Sequence, residues 1–253
     1  MEIEEYLIYY VSYLLTMERK INICLLLGIL ILTLSLGGCV GSCVQGSGNK
    51  IAQERVVPPF TGVSFSGEGN VNIIQDGSAK VKLTGDDNIL ENVETYVQDD
   101  VLYIRPKQCY SGSIDAYVNM GTVRSISLDG SGNIIGGTKI TSDDLLLKLS
   151  GSGKIMAGME AKKLAVSVSG SGESTLIGTA DDFSYDLSGS GKLSAYKLSA
   201  KRGKITISGS GSAETTARET LDVTISGSGT VYYKGNATVS QTVSGSGKIV
   251  KTE

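Results

Sequence analysis

Charged side chains recur in this chain as adjacent pairs at one fixed place. Eight residues before each of five glycines stand Asp143-Asp144, Lys162-Lys163, Asp181-Asp182, Lys201-Arg202 and Glu219-Thr220. Three kinds of chemistry could use such groups. Carboxylates can chelate calcium, which wants about six to eight oxygens converging on one point. Carboxylates beside amines can move protons. Opposite charges stacked at one offset can form a ladder of ion pairs. Asp86-Asp87 and Asp99-Asp100 add acids, but lysines separate the acids at 143 and 181, and the Gly-Gly-x-Gly-x-Asp calcium repeat is absent. The chain has no His, which removes the commonest general base and metal ligand. The signs run minus, plus, minus, plus, minus, and a ladder uses every pair. No metal, cofactor or catalytic residue is expected.

A second group with its own chemistry is Cys39. Residues 17–39 read MERKINICLLLGILILTLSLGGC: a charged start, an apolar run, small residues, then the thiol. That is the layout of a secretory signal. Leu36-Gly37-Gly38-Cys39 resembles the lipobox of bacterial lipoproteins, where the Cys sulfur takes a diacylglyceryl group and becomes the new N-terminus. The competing reading, an uncleaved span of about 18 residues, does not account for small residues directly before a Cys. Residues 1–16 carry three Glu and no Lys or Arg, the wrong sign for a signal, so translation is expected to start at Met17. Residues 1–38 are read as signal, 39–55 (Gly-rich and polar) as a flexible lipid-anchored tether, and 56–253 as the folded domain. Cys43 and Cys109 remain. Export permits a disulfide, and free thiols are equally compatible because one of the two lies in the tether.

The charge pairs need elements to hold them, and these follow a repeat. Gly-x-Gly recurs with its first glycine at Gly67, Gly130, Gly151, Gly170, Gly189, Gly209, Gly227 and Gly245; the second glycines of the last seven are Gly132, Gly153, Gly172, Gly191, Gly211, Gly229 and Gly247. The last seven motifs are separated by 21, 19, 19, 20, 18 and 18 residues, and the 63 residues from Gly67 to Gly130 would hold three degenerate repeats. Two residues before each first glycine the side chain is apolar in every unit. Four before it, only Gln241 is polar. The position between is polar in most units, the alternation of a strand with one buried face. Beyond the motif, Val71, Ile134, Ile155, Leu193, Val231 and Ile249 resume the inward pattern, with Ser174 and Ala213 as weaker members.

Each unit is therefore strand, Ser-Gly-Ser-Gly corner, strand and return. Such a unit cannot bury its own apolar face, whereas stacked copies can. The period predicts an all-β fold, a right-handed parallel β-helix (β-solenoid) with coils of about 18–21 residues and Gly-Ser-Gly corners, the coils about 4.8 Å apart. Corner glycines allow backbone conformations closed to other residues, and corner serines are expected to form hydrogen-bonded ladders. Sandwiches and propellers rarely need the same glycine corner in every unit, and propeller blades run to about 40 residues.

Composition narrows function. A formal charge of −3 argues against nucleic-acid binding, which favours a basic patch or stripe. The glycines form no phosphate loop, since no Gly-Lys-Ser/Thr follows in frame. A β-helix carbohydrate-active enzyme would need clustered acids and aromatic platforms, but there is no Trp. Tyr185, Tyr196, Tyr232 and Tyr233 form no series on one face. A curli-type amyloid would carry Gln/Asn ladders, not serine and charge.

The segment PFTGVSFSGEGNVNIIQDGSAKVKLTGDDNILENVETYVQDDVLYI (59–104), then VRSISLDGSGNI (123–134) and the Gly-Ser-Gly coils, resembles the bacterial "putative auto-transporter adhesin head GIN domain" family over roughly residues 56–253. The resemblance implies an exported, often lipid-anchored protein of Bacteroidetes-like bacteria with a right-handed parallel β-helix, and it supplies no catalytic residues. The expected function is a non-enzymatic cell-envelope lipoprotein with an adhesin-like or scaffolding surface. It would reach the membrane through the Cys39 lipid, in the outer membrane on either face, and take glycan or protein ligands or self-associate. The alternative is an envelope polysaccharide-binding module or β-helix carbohydrate-active enzyme. If Cys39 is acylated, wild-type protein enters the detergent phase of a membrane extract and Cys39→Ser accumulates unprocessed precursor. An intact N-terminus upstream of residue 39, seen by mass spectrometry of wild-type protein, would refute the anchor.

Overall fold

The computed structural model describes residues 43–253; the signal region, Met17 and Cys39 lie outside the described residues. The chain from Cys43 to Glu253 forms one compact unit of parallel coils, a β-solenoid. Its regular part is built from β12 (Ile140–Gly151), β13 (Lys154–Gly170), β14 (Glu173–Gly189), β15 (Lys192–Gly209) and β16 (Ser212–Gly227). Each runs from one corner to the next and pairs in parallel with the following one. The last coil is β17 (Thr230–Lys234), β18 (Thr238–Gly245) and β19 (Lys248–Lys251), laid on β16 and β17.

The alternation in the sequence becomes the core. Tyr185, Leu187, Ile205, Ile207, Val223 and Ile225 are buried in neighbouring coils. Ser174 and Ala213 also lie inside. Desolvation pushes the Tyr185 hydroxyl well above the usual tyrosine range. Gln241, the polar member of its row, is exposed because β18 is the last strand laid on the stack.

The corner is where coils meet most closely. Gly67, Gly130, Gly151, Gly170, Gly189, Gly209, Gly227 and Gly245 pair with one another in a single in-register column. Gly170 has φ +112°, and a Cβ there would come 2.6 Å from the carbonyl oxygen of Gly151. At the second glycine the reason is proximity alone: a Cβ on Gly191 would stand 2.7 Å from the Gly172 oxygen and 3.0 Å from the Leu187 side chain. The corner serines act through the backbone rather than the hydroxyl ladder expected above. Ser171, Ser190 and Ser210 donate their N–H to the oxygens of Gly151, Gly170 and Gly189 at 3.0, 2.9 and 3.0 Å.

The N-terminal third departs from the sequence reading in three ways. Gly67 does not lie three coils from Gly130; the two are direct neighbours. The coil formed by β3 (Gly62–Gly67) and β4 (Gly69–Gln75) carries β10 (Ser125–Gly130) and β11 (Asn133–Gly136) on one side. On its other side it carries β7 (Val101–Pro106) and β9 (Ile114–Met120). The 63-residue interval is thus one coil plus a cap, because the chain doubles back before it climbs. The cap is antiparallel: β5 (Lys80–Asp86) on β9 and β6 (Val93–Gln98) on β7, with the short helix α1 (Asp87–Leu90) burying Ile89 and Leu90 over the end of the core.

Residues 43–55, assigned to the tether, belong to the domain. β2 (Lys50–Arg55) pairs antiparallel with β5 from Lys50–Asp86 to Arg55–Val81. β1 (Val44–Gln45) pairs with β8 (Tyr110–Ser111). Cys43 and Cys109 form a disulfide, with Cα atoms 4.6 Å apart and a sequence separation of 66. Closing a loop of that length stabilises the fold by about 4 kcal/mol in the chain-entropy model. Beside it, Tyr110 serves the lowest glycine corner. Its hydroxyl accepts from the Glu68 N–H at 2.8 Å, in the place of the glycine oxygen that a corner below would offer, and donates to the Glu68 oxygen at 3.0 Å.

The corner constraint separates two glycines. Gly170→Ala should lose about 1–3 kcal/mol from backbone conformation alone, with the clash adding to it. At Gly158 the φ is not positive and no neighbouring atom would lie within 4 Å of an added Cβ, so Gly158→Ala should be neutral or gain about 0.4–1 kcal/mol. Denaturant unfolding of the two variants checks this, and equal losses would show that the corner column is not the constraint.

Candidate functional site

The five charge pairs fall at a bend between the two long strand faces, on successive coils. Asp144, Lys163, Asp182, Arg202 and Thr220 are backbone partners in register. The side chains join two coils at a time. Lys162 reaches Asp143 at 2.7 Å and Lys163 reaches Asp144 at 4.0 Å. Lys201 reaches Asp181 at 2.6 Å, and Arg202 grips Asp182 with two bonds of 2.6 and 2.8 Å. Arg202 also stands 4.0 Å from Glu219, which links the last rung.

This bend lines a groove of about 1480 Å³ that runs along the stack. Its charged lining is balanced: Arg124, Lys162, Lys163, Arg202, Lys204 and Arg218 face Asp143, Asp144, Glu160, Asp181, Asp182 and Asp222. Lys201 and Glu219 lie outside the lining. Small side chains such as Ala161, Ala165 and Ser184 form the floor. At one end the Gln75 amide accepts from the Thr141 N–H at 2.7 Å and donates to the Thr141 and Gly121 oxygens at 3.0 and 3.1 Å.

The electrostatics follow from pairing. The hydrogen bond from Lys162 holds the Asp143 carboxyl below the ordinary 3.8, and Arg202 does the same for Asp182. Asp143 in turn raises Lys162 above the ordinary 10.5. A carboxyl lowered on folding contributes above its unfolded pKa and loses that contribution as pH falls through the folded value. A raised lysine contributes below its unfolded pKa and loses it as pH rises. The ladder therefore works across the whole interval between those two limits. Among the described residues no three His, Cys, Asp or Glu side chains gather as a metal site.

A second polar ladder went unread in the sequence although it keeps the same frame, three residues after each first glycine. Asn70 donates to Asp115 at 2.8 Å, Asn133 to Asn70 at 3.0 Å, and Lys154 pairs with Glu173 at 2.9 Å. Lys192 follows in register. Counting that offset along the repeat would have found it.

Fold and groove together define a class: an elongated β-solenoid that presents a stiff, charge-patterned surface. Residues 59–237 match the family described as "putative auto-transporter adhesin, head GIN domain", and the chain belongs to this family. A crystal structure of a "putative adhesin" from Bacteroides fragilis is similar at 26% identity and TM-score 0.77, covering 83% of this chain and 100% of that one. A "putative lipid binding protein" from Parabacteroides distasonis is similar at 25% identity and TM-score 0.70, over 83% and 99%. A "putative adhesin" from Parabacteroides merdae shares the fold at 23% identity and TM-score 0.65, over 83% and 99%. No curated protein matches the chain in sequence.

If the ladder acts as described, Lys162→Glu with Lys163→Glu should lower Tm by a few degrees at low ionic strength. Added salt should shrink the loss, because exposed charges are screened within about 8 Å at physiological strength. Adding Asp143→Lys and Asp144→Lys should recover part of it. A loss that ignores salt and is not recovered would mean the pairs are independent turn residues.

Proposed function

We propose that this protein is a non-enzymatic, adhesin-like lipoprotein of the cell envelope, tethered through Cys39, whose solenoid groove takes a ligand bearing both charge signs. The observation that carries this reading is the state of the groove's charges. The rungs are bonded to each other, which favours a fixed recognition surface over proton transfer. A polyanion would meet as many carboxylates as cations there. The groove keeps one geometry over several coils, which suits an extended glycan or polypeptide.

Family membership supports the adhesin-like role and a place outside the cytoplasm. The Cys43–Cys109 disulfide agrees with an oxidising compartment. One structural relative bears the name of a lipid binding protein; in this reading, lipid enters through the anchor. Among the described residues no helix is long and apolar enough to cross a membrane, so attachment rests on the segment before Cys43.

The test is a glycan and matrix-protein array probed with the full chain. Binding of at least one ligand, weakened severalfold by Asp181→Lys with Asp182→Lys at a temperature where that variant, its Tm lowered by a few degrees, is still fully folded, is the expected result. Release of shortened glycan from any arrayed polysaccharide would overturn the non-enzymatic reading.

A further inference from the structure

The strand segments before the Gly-Ser-Gly corners form the first sheet of the solenoid wall and those after them the second, and the outer face of the second carries a column with exposed apolar side chains that neither the core nor the groove uses. Its positions lie five residues after each first corner glycine and run in register from Tyr117 of β9 through Asn72, Ile135, Met156, Thr175, Ser194 and Glu214 to Tyr232 and Val250, with apolar members toward both ends and polar ones between. Tyr117 is 41% exposed, Met156 42%, Tyr232 37% and Val250 37%, and beside them Ile177 is 46% exposed. Of the large apolar side chains that stand exposed, only Val56 and Val243 lie elsewhere among the described residues. The matching column on the first sheet, from Tyr103 through Ser64, Ser127, Ser167 and Thr206 to Thr242, has one large apolar side chain, Tyr103, and that one is half-buried and stacked on Tyr96 at 5.2 Å. Apolar surface gathered on one face marks an interaction site.

The flanks of this column carry more positive than negative charge. Lys82 is the antiparallel partner of Tyr117 and Lys80 that of Asn119, while Lys154, Lys192 and Lys248 stand one column nearer the corner. Against these five lysines stand four acids: Asp115, Glu173 and Glu214 of the same columns and Glu54, the antiparallel partner of Lys82, with Glu173 bonded to Lys154 at 2.9 Å. Aromatic and aliphatic tips among lysines are the composition of a surface that settles into a lipid headgroup layer: apolar groups enter the acyl boundary while lysine ammoniums reach anionic lipid.

The covalent path limits what could cover this face. Four peptide steps join Cys39 to Cys43, a reach of about 14 Å when extended. Cys43 is tied to Cys109, and β8 leads within a few residues into β9, the strand of Tyr117. An anchor at Cys39 therefore leaves the domain at the edge of this sheet.

We infer that the outer face of the second sheet docks on an anionic membrane surface, so that the solenoid lies along the bilayer for about 38 Å, eight coil steps. This rests on the anchored reading above. It leaves the charged groove to face other ligands.

Met156 is a built-in probe, since Met120 and Met159 are buried and slow to oxidise. Full chain purified from the membranes of an exporting bacterium would be reconstituted in phosphatidylcholine vesicles with and without phosphatidylglycerol, floated, and treated with peroxide. Sulfoxide at Met156 would be measured by mass spectrometry against a reference methionine from Thr224→Met on the first sheet. The expected result is a severalfold slowing of Met156 relative to the reference when phosphatidylglycerol is present, reversed by Lys80→Glu with Lys82→Glu. Flotation with Met156 oxidised as fast as the reference on phosphatidylglycerol vesicles overturns the docking and leaves the anchor standing. Failure to float overturns the anchor and the docking with it.

Discussion

Every coil of this protein must pass within a peptide's width of the next at the Gly-Ser-Gly corner, and that approach is the constraint on which the rest depends. With carbonyl oxygens of one layer where Cβ atoms of the next would stand, only glycine fits, and the backbone itself closes the hydrogen bonds. Once the corner column is set, the strand segments next to it are fixed in register, and coils of different length take up the difference farther out, between Thr175 and Gly178 and between Ala195 and Ser199. A one-residue slip would turn an inward row outward, so Leu187 must stack on Ile207 and Asp182 on Arg202. Core, charge ladder and asparagine ladder are all consequences of one alignment.

The two ends of the stack solve the edge problem differently. At the N-terminal end, β2, β5 and β6 run antiparallel to their partners and α1 covers the core. Tyr110 stands in for the glycine oxygen of a missing corner, and the disulfide pins this region shut. At the other end, β18 pairs only with β16 among the described residues, and Gln241 and Val243 are exposed in rows that are buried one coil below. Polarity at Gln241 suits a layer with water on one side.

The regular coils were legible because each position repeats at a constant offset from a glycine. Phe65, Leu128, Leu149 and their successors could be assigned inward without knowing any contact, and the alternating charges gave the layer order. The N-terminal third was not legible, for a topological reason. Period counting assumes that chain order is stacking order, whereas here residues 101–120 lie below residues 62–75 and residues 125–136 above them. The Lys50–Arg55 strand was masked by the Gly- and Ser-rich residues before it, and its only strong signal is pairing with Val81–Asp86, which lies far off in sequence. The column containing Met156 was in frame and went unread because four of its members, Asn72, Thr175, Ser194 and Glu214, are polar.

The doubled-back chain order also governs how the molecule can assemble. From Ile140 onward each strand finds its partner about one coil back, so those layers can be laid down one at a time by local closure. The β3–β4 layer has no such course: its two neighbours come from residues 101–120 and 125–136, on opposite sides. A chain that emerges N-terminus first must therefore finish the capped base, with its antiparallel strands and Cys43–Cys109 link, over long sequence separations before the zipper above it has a floor. Slow steps in folding gather in the first third of the chain. The remaining length is free to grow or shrink by whole coils without disturbing them.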